Sequence, residues 1–366
     1  MKNPLSPIHV SVFCVGILFA LTAVAQQPAT FNEFSVPGAG TAAGLGTMPV
    51  SMNSTGVVAG YYTDSADVAH GFQRASSGAT VSFDAPGAGT AAGTGTRGGQ
   101  INAANAIAGS YVDNNHVYHG YVRSSSGSLS TFDPSGVGTD SGEGTMCNAI
   151  NQTGTISGSY VDSVNAFHGF VRSAGGTITT YDIAGAGTKG DQGTFGFGIN
   201  AAGTVVGYYI DGNSVAHGFV RTAAGAVTTF DVTGASTQPG GGTYPSVIDA
   251  SNKIAGSFIG TNGVTRAFVR TASGTISTFY IAGSNVTSPN AINASGTISG
   301  NYLDNSAKIA KGFTISSSGV VTTFAAPGSG TSKGSGTTPL GINNGGVVVG
   351  YYLTPASVYE GFVMTP

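Results

Sequence analysis

The chain has no tryptophan, only two cysteines and almost no charge. Charged residues make up 8% of it, and its formal net charge is −3. Each shortage excludes something. No run of Lys or Arg occurs, so the electrostatic footprint of a nucleic-acid or anionic-membrane binder is missing. Cys14 lies inside an N-terminal apolar run. If that run is removed, Cys147 is the sole thiol and no internal disulfide can form, so a buried structural thiol is expected there. The chain carries sixty glycines, and glycine is costly inside helices, so almost no helix is expected after the N-terminus. Disorder is excluded too, because 40% of the residues are hydrophobic and the aromatic positions recur regularly.

What is abundant is Gly, Thr, Ser, Val, Tyr and Phe, the composition of strands punctuated by turns. Residues 1–25 read as a secretory signal peptide: Lys2, an apolar run from Val10 to Val24, and small residues at Ala23 and Ala25 before a cleavage site at Gln26. Secretion to the extracellular space or periplasm is therefore expected. An uncleaved anchor is the alternative reading, although the run is short for a membrane span.

From there the chain is periodic. A tripeptide of the HGF type begins at His70, His119, His168, His217, Arg266, Lys311 and Glu360, with a spacing of 49 at every step but one, which is 45. A period near 49 lies in the range of propeller blades and is too long for a solenoid rung. Within the fourth unit, turns divide the sequence into four strands: one ending at Gly198-Ile199-Asn200, then Thr204 to Ile210, Ala216 to Thr222 and Ala226 to Val232. Gly185 to Thr194 is read as the connector to this unit. The first segment after the signal, from Thr30 to Gly38, resembles a fourth strand with its connector, while the last unit stops after a third strand. The expected fold is all-β: a seven-bladed β-propeller of four-stranded antiparallel blades in one domain, 26–366, closed by the N-terminal strand pairing into the last blade.

The units GTISGSYVDSVNAFHGFVR and KIAGSFIGTNGVTRAFVR, each following an Ala-Ile-Asn-like step, resemble the bacterial extracellular repeats of the HAF family, so named for a His-Ala-Phe tripeptide. The resemblance spans all seven units. Six have Gly where the name has Ala, and three lack the His. It implies an extracellular location and a repeated architecture, and it transfers no active site.

The repeated residues carry the tempting chemistry. His70, His119, His168 and His217 are each followed fourteen residues later by Asp84, Asp133, Asp182 and Asp231, and the Asp disappears wherever the His does. The co-occurrence predicts structural His–Asp pairs tying neighbouring strands. Catalytic sets break the symmetry of a scaffold, and no GxSxG elbow accompanies these. Four pairs on four blades do not converge on one metal either. Arg74, Arg123, Arg172, Arg221 and Arg270 also recur, with stems expected between blades and guanidinium groups near the hairpins. A ring of cations grasping an anionic polymer is the weaker alternative, interrupted at Ile315 and Met364. Gly60 and its six equivalents read as packing glycines near the propeller axis. Asp64, Asp113, Asp162, Asp211 and Asp304 read as Asx-turn residues opening a loop, in preference to calcium ligands, because DxDxDG spacing is missing.

In an antiparallel meander the tight turns share one end and the long loops and connectors share the other, so the variable residues gather at the second end. His116, Tyr118, Phe167, Phe195 and Tyr244 form the candidate binding face there. No catalytic residue, cofactor or metal is assigned. The expected function is a secreted, non-catalytic, monomeric binding or scaffolding propeller whose partner is a glycan, a cell-surface polymer or a protein. Nucleic acid is not an expected partner, and no membrane span remains once the signal is removed. The alternative is an extracellular lyase or glycosidase on the same scaffold, which would need paired carboxylates that the spacing does not reveal.

Overall fold

The computed structural model describes residues 19–21 and 29–366. Twenty-nine strands are seen among them; twenty-eight form seven four-stranded antiparallel blades around a ring. Blade 1 comprises Gly46–Met52, Val58–Thr63, Ala69–Arg74 and Thr80–Phe83, and the other blades repeat it. Blade 7 has only three strands of its own, Gly336–Ile342, Val348–Leu353 and Tyr359–Thr365. Its fourth is Thr30–Phe34, which pairs antiparallel with the last of these, from Thr30 opposite Thr365 to Phe34 opposite Gly361. The N-terminal strand thus closes the ring. Apart from a three-residue strand, Phe19–Leu21, whose backbone pairs in parallel with Phe279–Ile281 on the outer edge of blade 5, the expected signal peptide lies outside the described residues.

One difference from the expected strands concerns the innermost one. It is the longest regular strand of the repeat, Gly193–Ile199 in blade 4, and it begins inside the stretch read as connector. Two features draw that stretch into the sheet. Thr194 is buried, and its hydroxyl accepts the Ile183 amide at 3.0 Å, tying the start of the strand to the end of the preceding outer strand. Gly193 (φ +120°) packs so tightly on the Phe167 carbonyl of blade 3 that a Cβ would lie 2.0 Å from the oxygen. Only glycine passes there.

The core is repeated as strictly as the backbone. Each blade buries one ring completely at the same point of its third strand: Phe72, Tyr121, Phe170, Phe219, Phe268, Phe313 and Phe362. Each of these meets, edge to face, an aromatic ring on the outer strand of the preceding blade, with centroids 5.9–6.3 Å apart. At the closure Phe34 supplies that ring against Phe72, so the N-terminal strand completes the side-chain pattern as well as the hydrogen bonds. Such pairs add roughly 0.5–1.5 kcal/mol each beyond the area they bury.

The second-strand glycines are required for a reason other than crowding between blades. A Cβ at Gly60 would lie 2.4 Å from the Met48 carbonyl and 2.9 Å from the Phe72 ring, both in its own blade. Gly158 meets Met146 and Phe170 in the same way. The glycine makes room for the buried ring of the adjacent strand.

Candidate functional site

The innermost strands wall a central channel. At the end carrying the tight turns, Asn53, Asn102, Asn151 and Asn200 form a chain around the channel. Each side-chain amide donates to the main-chain carbonyl of the same residue in the next blade, at 3.0–3.2 Å. Asn293 donates likewise to Asn343, at 2.9 Å. The side-chain carbonyl of each also accepts backbone amides of its own turn, as Asn151 does from Thr153 and Thr155. Blade 5 breaks the chain with Asp249, whose Oδ1 caps its own turn in the same way but which has no side-chain N–H to pass on. This end of the channel encloses about 240 Å³. A girdle of Met52 and six isoleucines, Ile101 to Ile342, borders it and also borders a second chamber of about 370 Å³ towards the opposite end.

The opposite end holds the blade-to-blade connectors; the second-to-third-strand loops expected to be long there are turns as short as those at the first end, 64–68 against 53–57. At this connector end, the loop end of the ring, aromatic rings from three consecutive blades join. Phe167 of blade 3 stacks on Phe195 of blade 4 (centroids 4.2 Å apart), Phe195 on Tyr208 (4.8 Å), and Phe197 on Tyr208 (5.4 Å). Tyr208 then meets Tyr244 of blade 5 edge to face at 5.0 Å. All five are half-buried, and Phe197 also lines the second chamber of the channel, so the cluster leads from the outer surface into the channel. Burial, with the Tyr244 hydroxyl nearby, pushes the Tyr208 hydroxyl up to about 12, so it stays a neutral donor at physiological pH. Tyr244 donates to the carbonyls of Gly240 and Gly241, at 3.1 Å each, which fixes its ring.

Of the five residues expected on the binding face, Phe167, Phe195 and Tyr244 are thus brought together, while His116 and Tyr118 stand apart from that stack on blade 2. His116 is exposed in a loop with φ +62°, and Tyr118 opens a third strand, its amide donating to the Glu143 carbonyl at 2.9 Å. Sequence reasoning missed Phe197's channel position and Tyr208 altogether. Tyr208 occupies a regular second-strand position, where Tyr, Ser and Asn alternate among units, and so it did not register as a departure from the repeat.

The repeated histidines lie at this same end, further out on the third strands. His70 Nδ1 is 2.9 Å from Asp84, His119 Nδ1 2.7 Å from Asp133, and His168 and His217 Nδ1 2.9 Å from Asp182 and Asp231. A second carboxylate, not anticipated as a partner, faces the other nitrogen: Asp64, Asp113, Asp162 or Asp211, at 3.2–3.8 Å from Nε2. Each imidazole is also stacked on a tyrosine of the second strand, with centroids 4.9–5.1 Å apart. The loop aspartates do form Asx turns, Asp162 Oδ1 accepting the amides of Val164 and Ala166, and the turn aims Oδ2 at the ring. Burial pushes these four carboxyls up, but the turn amides and the histidine outweigh it and hold them below the ordinary 3.8. In blade 5 the position holds Arg266 over the Tyr280 ring, and in blade 6 Lys311 pairs with Asp304 at 2.7 Å. The blades thus keep a polar tie while changing its chemistry.

Among the described residues no three His, Cys, Asp or Glu side chains are grouped to hold a metal. Cys147 is a free thiol packed in the core between blades 2 and 3, and burial pushes it up to about 12. That removes the thiolate a nucleophile needs.

Comparison with known proteins places the fold. No protein-family model and no curated protein matches the chain. Solved structures do. The chain is similar to the BP39L lectin from Burkholderia pseudomallei, at 10% identity over 86% of this chain and 96% of that one, with a TM-score of 0.51. It is similar also to a chain from a structural and mechanistic analysis of two prolyl endopeptidases, at 11% identity over 83% of this chain and 45% of that one (TM-score 0.52). A puromycin hydrolase matches at 12% identity over 84% and 50% (TM-score 0.52). In these last two the likeness spans about half of the matched chain. The chain is a β-propeller.

Proposed function

We propose that this protein is a secreted, non-catalytic binding module of the HAF-repeat type, which takes a glycan on the aromatic surface at the loop end of its channel. The observation that carries the reading is the continuous stack of Phe167, Phe195, Tyr208 and Tyr244 across three blades, joined by Phe197 in the channel wall. Half-buried aromatic rings suit the apolar faces of sugar rings, and the tyrosine hydroxyls supply polar partners beside them. The fold shared with a lectin supports this use of a propeller and transfers no residue to this chain. The four Asp–His–Asp sets are read as ties of the scaffold: they follow the repeat, and each lies in its own blade. Secretion rests on the sequence of residues 1–25.

The test is a panel of glycans and cell-wall polymers offered to the purified mature chain, with retention and product release measured together. Retention without product, weakened on the order of tenfold or more by F195A/Y244A, is the expected result. Release of shortened saccharides would replace this reading with the lyase or glycosidase one.

A further inference from the structure

The strands deal the charges of the molecule to opposite ends. Of sixteen acidic residues, Asp249 alone lies at the end of the tight turns, in the channel wall. The rest lie at the loop end: after second and fourth strands, as Asp64 and Asp84 do, in loops and connectors, as Asp67 and Asp191 do, or in the strand segments nearest them, as Glu33 and Glu360 do. The tight-turn end holds Lys253 and the five arginines that finish the third strands of blades 1–5: Arg74, Arg123, Arg172, Arg221 and Arg270. They form an arc over five consecutive blades.

Packing explains where these arginines sit but not why their charge is left without a counter-ion. Each guanidinium lies 4.4–5.0 Å over the outer-strand ring of the preceding blade. Its other partners are neutral: Arg123 donates to Gln73 at 2.7 Å, and Arg172, Arg221 and Arg270 donate to the carbonyl of the next residue at 3.3–3.4 Å. Ion pairs among the described residues involve only the four histidines and Lys311, all at the other end. Four of the five arginines are half-exposed, and exposed hydroxyls, such as Ser126 and Ser273, lie in the turns that follow them.

We infer that the tight-turn end of the ring is a docking surface for an acidic polysaccharide, gripped by the arc of Arg123, Arg172, Arg221 and Arg270. Guanidinium groups repeated once per blade, each set over a ring and beside turn hydroxyls, suit a polymer that repeats its carboxylates. Single-stranded nucleic acid would need exposed rings on which to stack its bases, and the large exposed apolar side chains among the described residues are valines only. This surface is separate from the aromatic one, so it stands whether or not the loop end binds glycan.

The experiment is retention on immobilised polygalacturonate at low ionic strength. Although its net charge is negative, the wild-type protein is expected to be retained, to elute on addition of salt, and to pass through the same matrix once its carboxylates are methyl-esterified. R172Q/R221Q/R270Q should lose retention, and R172K/R221K/R270K, which keeps the charge, should not. K189Q/K308Q/K333Q removes three exposed charges at the loop end and should be retained like the wild type. If the glutamine variant fails to fold, the esterified matrix, the arginine-to-lysine variant and the loop-end variant still decide. The inference is overturned if the wild type flows through, if the ester retains it equally, if the loop-end variant loses retention, or if a single-stranded DNA matrix holds the protein more tightly than the polyuronate does.

Discussion

The two ends of the ring are built from the same seven repeats, yet one keeps the repeat and the other departs from it. At the tight-turn end an asparagine or aspartate recurs in every blade and an arginine in five. At the loop end the equivalent third-strand position reads His four times, then Arg, Lys and Glu, and the positions facing the channel mouth range from Phe195 and Tyr244 to Ser288 and Thr338. The turns within a blade are alike at both ends, 53–57 and 64–68 each closing through the same backbone hydrogen bond, and they admit few conformations. The longer blade-to-blade connectors, such as 84–94, all lie at the loop end and are constrained mainly at their ends. Uniformity at one end is therefore architecture, and variation at the other is where a ligand can be selected.

That contrast can be broken at several levels. The largest effect is expected from removing the shared frame: deleting residues up to Phe34 takes a strand from blade 7 and the ring from the Phe34–Phe72 contact, and should abolish the single cooperative thermal transition. Phe170→Ala empties a fully buried site and should cost about 3–5 kcal/mol in denaturant unfolding. Its glycan binding should be intact at temperatures where it remains folded. His168→Ala should lower stability by about 1 kcal/mol or less, because its partners are partly solvated, and should leave binding unchanged.

The pH dependence sharpens the same point. The folded Asp162 titrates below its ordinary value of 3.8, so its contribution is present above that value and is lost as the pH falls towards the folded one. Acid unfolding curves of Asp162→Asn should be correspondingly shallower than those of the wild type. The smallest effect is expected at the one departure from the asparagine chain of the uniform end. Asp249→Asn restores the amide that every neighbouring blade donates, and should raise stability by a few tenths to about 1 kcal/mol.

The period of 49, the four strand signals and the unmatched N-terminal strand made the closed ring legible before any coordinates, because each depends on local patterning or on counting. The His–Asp pairing was legible for a similar reason: the two residues vanish together in blades 5–7. Its second carboxylate was not, since Asp162 announces itself only as a turn residue and the Oδ2 left over by the turn gains a partner through the sheet register, Tyr160 opposite His168. The role of Gly60 was legible as a need for space but not as a need set by its own blade. The aromatic surface was legible in part. Phe167, Phe195 and Tyr244 stood out as departures, whereas Tyr208 did not, and no spacing along the chain shows that residues on blades 3, 4 and 5 meet in one stack. The segregation of charge was also only partly legible. The arginines recur 49 residues apart and were placed near the hairpins by their repeat position, whereas the lack of an acidic partner at that end shows only once the ring sets the ion pairs at the other.

The most direct measurement compares three proteins on the same glycan panel: the wild type, F195A/Y244A and H168A, each with its thermal midpoint recorded. The account predicts that the aromatic double variant loses retention with its midpoint nearly unchanged, and that H168A melts earlier while binding as the wild type does. Retention kept by F195A/Y244A and lost by H168A at an unchanged midpoint would contradict it, placing the function on the repeated histidines and leaving the channel mouth as packing.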